Sequence, residues 1–98
     1  MNNKGSFYIL NKTMKLSEID FIAKYGHIKV VFTDYYKYEF SFECTFKNKK
    51  ITVFVGGDTS IIYRFSVDAN KEYLISDLYF FKALVFENDK LIHEFNRD

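Results

Sequence analysis

Apolar and polar side chains alternate without a break over residues 36–46: Tyr36, Tyr38, Phe40, Phe42, Cys44 and Phe46 take the even positions, and Lys37, Glu39, Ser41, Glu43 and Thr45 the odd ones. Successive side chains of a strand point to opposite faces. The period of two therefore predicts one long strand over residues 35–46, with an apolar face covered and a polar face in water. Ile28, Val30 and Phe32 alternate in the same way over residues 27–33, as do Ile51, Val53 and Val55, and again Ile61, Tyr63, Phe65 and Val67. Between these runs lie Asp34, the tip 47–50 with Asn48 and Lys49 at its centre, and Gly56-Gly57-Asp58. Such residues tolerate turn conformations, so residues 35–67 read as three consecutive antiparallel strands.

One segment has a helical start. Ser17 can cap the amide of Asp20, Leu16 and Phe21 occupy staple positions, and Gly26 stands where a left-handed C-cap is wanted. A helix is predicted over Glu18 to Tyr25, with Leu16, Ile19, Ile22 and Ala23 on the face that packs against a sheet. A short first strand is expected at residues 7–10. Residues 68–77 fit either a single helical turn or an extended entry to the next strand. Residues 78–86 are apolar on both faces apart from Lys82, as in a central strand or one whose outer face meets another surface. Asn88 and Asp89 then turn the chain into a last strand over residues 91–95. The expected fold is α+β: one domain over residues 1–98, a mainly antiparallel twisted sheet or partial barrel of about six to seven strands, and one short N-terminal helix.

Composition adds a constraint. The 98 residues include 12 Phe and 8 Tyr, and each aromatic buries about 150–250 Å². A domain of this size has only a small core, so part of the apolar surface is expected to meet a subunit or partner. Tyr35, Phe54, Ile62, Tyr79, Phe80 and Phe81 are the candidates, because alternation cannot turn every large side chain inward at these places. Net charge is +1, without the basic excess of a dedicated nucleic-acid binder. Residues 1–50 carry nine Lys against five acids and residues 51–98 five basic against eight acidic side chains, nets of +4 and −3. Lys47, Lys49 and Lys50 gather at one hairpin tip, and the Gly56-Gly57 turn is the only place where paired glycine amides offer themselves to an anion.

Nothing points to catalysis. Cys44 lies on the apolar face of the longest strand and reads as a small buried hydrophobe. His27 suits the end of the helix, and His93, between Leu91 and Phe95, a satisfied structural role. One Cys and two distant His lack the spacing of a zinc site. The acids Glu87, Asp89 and Glu94 flank the last hairpin as solvated charges. No catalytic residue, metal or cofactor is expected. A single Cys and the lack of a long apolar run favour a cytoplasmic setting without a membrane span.

The function expected from these observations is a small non-enzymatic binding module that acts through an aromatic protein-interaction surface, as a homodimer or against a protein partner. The absence of Pro and the abundance of Lys, Asn, Ile, Phe and Tyr match AT-rich coding, hence an inhibitor or accessory protein of a phage or mobile element. The alternatives are a nucleotide- or anion-binding protein with its pocket at a subunit boundary, and a single-stranded nucleic-acid binder.

Overall fold

A computed structural model describes residues 13–57 and 65–97. Its strands are β1 (Met14–Lys15), β2 (Lys29–Val31), β3 (Tyr36–Lys37), β4 (Phe40–Phe46), β5 (Lys49–Val55), β6 (Ser66–Val67), β7 (Glu72–Leu74), β8 (Phe80–Glu87) and β9 (Lys90–Asn96). One α-helix, α1 (Glu18–Tyr25), follows β1, and a single 3-10 turn (Ile75–Asp77) follows β7. The fold is α+β with mostly antiparallel sheets that do not close into a barrel. Five strands form the main sheet in the order β1-β9-β8-β5-β4, while β2 pairs with β7 and β3 with β6.

Two tight hairpins organise the main sheet. Lys47 and Asn48 both adopt positive φ between β4 and β5, and so do Asn88 and Asp89 between β8 and β9. Two residues of that hand match the right-handed twist of the flanking strands. Ile51, Val53, Val55, Ala83 and Val85 point to the covered face and are fully buried. Of the strand expected over residues 61–67, residues 61–64 lie outside the described residues, and the rest does not continue this meander. Its described end, Ser66–Val67, pairs with β3, and β8 takes the place beside β5.

The two-faced apolar run at residues 78–86 has a specific cause. Val55 pairs with Phe80 but Phe54 pairs with Lys82, so Phe81 is an extra residue in β8. This β-bulge resets the alternation. Phe80 points inward before it, Ala83 and Val85 after it, and Phe81 lies on the opposite face. Strand β8 is the central strand of the sheet. A second irregularity, in the β8–β9 register between Val85 and Phe86, carries Ile92.

Helix α1 has the expected bounds, and Ser17 Oγ accepts from the Asp20 amide at 3.1 Å. Its packing face matches the expected one in part: Leu16 and Ile22 pack against the core, but they flank its centre. Phe21 and Tyr25, four apart, are buried, whereas Ile19 is 79% exposed and Ala23 is exposed. Phe21 meets Phe80 and Phe95 at ring-centroid distances of 5.5 and 5.9 Å, and aromatic bulk rather than aliphatic count chooses the face. Gly26 stays right-handed (φ −65°) and its amide donates to Ile22 O. Close approach accounts for this glycine instead: a β-carbon there would lie 2.6 Å from Ile22 O.

The long strand expected over residues 35–46 is interrupted. Tyr38 has φ 69°, which separates β3 from β4 and leaves Tyr36 and Tyr38 exposed. Phe40, Phe42, Cys44 and Phe46 keep the expected face but are only half-buried, because β4 is the edge of the sheet. The strand expected at residues 7–10 lies outside the described residues, and the parallel pairing of β1 with β9 has no counterpart in the hydrophobic pattern.

Candidate functional site

The site begins with two strand edges. Each of β2 and β4 has one hydrogen-bonded neighbour among the described residues, and a recess of about 340 Å³ lies between them, lined by residues 29–32 of one and 42–45 of the other. Ring contacts set their relative direction. His27 meets Phe46 at one end (5.3 Å), and Phe32 meets Phe42 and Phe40 at the other (5.1 and 5.6 Å). Strands β2 and β4 therefore run antiparallel across an open seam, with Val30, Phe32, Phe42 and Cys44 forming its apolar floor.

Backbone pairing decides which polar groups face the seam. The two-residue turn sets Phe46 opposite Lys49 as the pair that exchanges both hydrogen bonds, so Cys44, Phe42 and Phe40 are the bonded partners of β5. Ser41, Glu43 and Thr45 consequently direct N–H and C=O away from β5. On the other side the Ile75 amide donates to Ile28 O at 3.0 Å, which places Ile28, Val30 and Phe32 in bonded register with β7. Lys29 and Val31 thus direct their N–H and C=O away from β7. The two rows of backbone groups face each other across the seam.

The rim is apolar as well as charged. Val31, Tyr35, Tyr36 and Tyr38 are between 37 and 58% exposed; Val31 lines the recess, and the Tyr36 ring meets Phe32 and Phe40 at 5.9 and 5.0 Å. Lys29 Nζ stands 4.0 Å from Glu72, and Glu43 4.0 Å from Lys50 Nζ. Each flanking charge is compensated along its own sheet. Burial pushes the Cys44 thiol up, which leaves less thiolate at neutral pH and suits a floor residue better than a nucleophile.

The candidate residues of the sequence do not converge on one place. Tyr35 is exposed immediately before β3. Phe54 and Phe81 pack together (6.1 Å) on the face of the main sheet opposite the core, where Lys82 Nζ lies over the Phe54 ring and Lys50 Nζ over that of Phe86. Phe80 is not a surface residue: it is 1% exposed, because the bulge turns it inward. Tyr79 is half-buried under the Arg97 guanidinium (4.9 Å). Ile62 lies outside the described residues.

The lysines of the hairpin tip diverge. Lys47 lies over the Phe46 ring, Lys49 turns to Glu87 at 3.9 Å, and Lys50 turns to Glu43 on the other face. The Gly56-Gly57 turn is filled from within. Its Gly56 amide donates to Tyr79 O at 2.8 Å, and both glycines have φ 105°. A β-carbon on Gly57 would stand 2.7 Å from the Phe81 ring, and one on Gly56 would stand 2.8 Å from Glu39.

The histidines are structural in their contacts. His27 is exposed with its ring edge against Phe46, and the carbonyls at the end of α1 take backbone amides instead. His93 Nδ1 shares a 2.6 Å hydrogen bond with Tyr25 OH. Burial, with Lys24 and Lys49 nearby, holds its pKa below the usual histidine value, against the opposing pull of Glu87. Among the described residues no three of His, Cys, Asp and Glu come together to hold a metal ion, and no helix is long and apolar enough to cross a membrane.

The seam itself was not legible in the hydrophobic pattern, since Lys29, Val31, Glu43 and Thr45 contribute backbone rather than side chains. The one signal was indirect: too many aromatics for one small core. No family model, curated protein or solved structure matches the chain.

Proposed function

We propose that the protein is a small non-enzymatic binding module of the cytoplasm whose partner is another protein, and that the open seam with its rim of Val31, Tyr35, Tyr36 and Tyr38 is the contact surface. The observation that carries this reading is the coincidence, among the described residues, of two strand edges with one neighbour each, an apolar floor between them, and the exposed side chains of Val31 and Tyr36 beside it. Unpaired edges are a template for pairing with another chain, and exposed tyrosines supply large contact area with a polar tip. Small size and an AT-rich residue bias support the role of an accessory or inhibitory protein of a phage or mobile element.

Three probe classes test it side by side on the immobilised protein: a displayed library of random peptides, mixed-sequence single-stranded oligonucleotides, and nucleoside triphosphates. Peptides are expected to be enriched, and their binding to weaken by roughly tenfold or more, about 1.4 kcal/mol, in Val31→Glu and Tyr35→Ser. Both side chains are more than half exposed, so the variants stay folded. Oligonucleotide binding that falls steeply with salt and is lost when Lys47, Lys49 and Lys50 are changed together overturns the reading.

A second reading, self-association, has its own observation. Phe54, Phe81, Leu84 and Phe86 form a half-buried apolar stripe on the outer face of the main sheet, a surface distinct from the seam.

A further inference from the structure

The geometry points to the form of the partner at the seam: a single extended polypeptide segment that inserts between β2 and β4 and joins the two sheets by backbone hydrogen bonds to both. This rests on the reading of the seam as the binding site. Lys29 and Val31 on one side, and Glu43 and Thr45 on the other, direct N–H and C=O into the gap. Groups of that kind recur at every second residue of a strand, about 6.6–6.8 Å apart. An extended chain carries the matching donors and acceptors on both its edges at the same spacing; a helix satisfies its own, and a nucleotide has neither the repeat nor the two-sided pattern. Because β2 and β4 are antiparallel to each other, the inserted strand lies parallel to one and antiparallel to the other.

The recess also limits the side chains. Alternate residues of the segment face Val30, Phe32, Phe42 and Cys44, within about 340 Å³, and so are small and apolar. The intervening residues emerge between Lys29 and Thr45 at one end and between Val31 and Glu43 at the other, where polar or charged side chains fit. A second copy of the chain is the weaker occupant. Its own β2 and β4 edges sit inside its seam, and the remaining described edge strands, β1, β3, β6 and β7, are only two or three residues long.

Amide hydrogen exchange of the whole protein, read residue by residue, provides the test. The probes are an end-capped peptide of about eight residues alternating valine and threonine, the peptides enriched from the random library, and the valine–threonine peptide with every second amide N-methylated. At a peptide concentration ten times its Kd, the amides of Lys29, Val31, Glu43 and Thr45 are expected to exchange about tenfold more slowly. Val30, Phe42 and Cys44, already bonded within their sheets, are expected to be unchanged, and the N-methylated peptide to have no effect. Peptide binding without this alternating protection overturns strand insertion but leaves the protein-binding reading in place. Failure of every peptide to bind overturns both. Protection of the same four amides without peptide, increasing with protein concentration, overturns the choice of occupant in favour of a second copy.

Discussion

Phe80 and Phe81 are neighbours of the same type, and one extra residue in β8 sends them to opposite faces. Phe80 meets Phe21 and Phe95 in the core, whereas Phe81 covers Gly57 on the outer face. Phe80→Ala is therefore expected to lower the unfolding free energy by about 3–5 kcal/mol, a large part of the stability of a small domain. Phe81→Ala is expected to cost about 1 kcal/mol, because its ring already reaches water. Chemical denaturation of the two variants checks the register directly, and equal losses would place both rings in the core. His93 adds a pH dependence. Its folded pKa lies below the unfolded value of 6.5, so the unfolded chain takes up the proton first. Stability is then full above that value and declines as pH falls through about 6.5 toward the folded pKa. The denaturation midpoint of the native chain is expected to drop between neutral pH and pH ~5.5, and His93→Gln to remove most of that slope.

At the scale of elements, caps and turns are local and read well from sequence. Ser17 caps α1 as its spacing requires, and Ser17→Ala is expected to cost about 1 kcal/mol, with Ser17→Asp largely restoring it. Thermal unfolding measures both. The C-terminal end is held differently. Arg97 donates to both Glu18 carboxylate oxygens (2.8 and 3.1 Å) and to Phe80 O, tying β9 to the start of α1. This hydrogen bond from Arg97 holds the Glu18 pKa below its ordinary value despite slight desolvation. The contribution of the pair is thus present at neutral pH and lost as pH falls through the lowered Glu18 pKa. Arg97→Gln is expected to reduce the dependence of stability on pH below about 4.5, where the unfolded carboxyl titrates. No hydrophobic period signals this contact, since its partners are 79 residues apart.

For the whole molecule, two surfaces lie apart: the seam between β2 and β4, and the stripe around Phe54 and Phe81. They make separable predictions. If the stripe joins two copies, light scattering shows a dimer of the native chain, and Phe81→Asp or Phe86→Asp gives a folded monomer, since a charge at the centre of an interface loses water without gaining a partner. Val31→Glu at the seam leaves that equilibrium unchanged. A native chain that stays monomeric over the whole concentration range removes the dimer and leaves the stripe as ordinary surface shielded by the stems of Lys50 and Lys82.

The chain by itself determined the class of fold, the bounds and cap of α1, the inward residues Ile51, Val53 and Val55, the hairpin at Asn88-Asp89, and a hairpin within residues 47–50, whose turn lies at Lys47-Asn48, one residue before the expected centre at Asn48 and Lys49. These depend on period, propensity and turn chemistry, all of which act within a few residues. Tertiary structure decided the rest. It placed β8 beside β5 and Ser66–Val67 beside β3, turned Phe80 inward by a bulge, and chose Phe21 and Tyr25 over Ile19 and Ala23 as the buried face of α1. Among the described residues it also left β2 and β4 facing each other with no strand between them. Strand pairing is a contest between distant segments for the same backbone groups, and its outcome depends on which aromatic side chains can be packed together in three dimensions. The seam follows from that contest, because its donors and acceptors are main-chain atoms that every residue type carries alike.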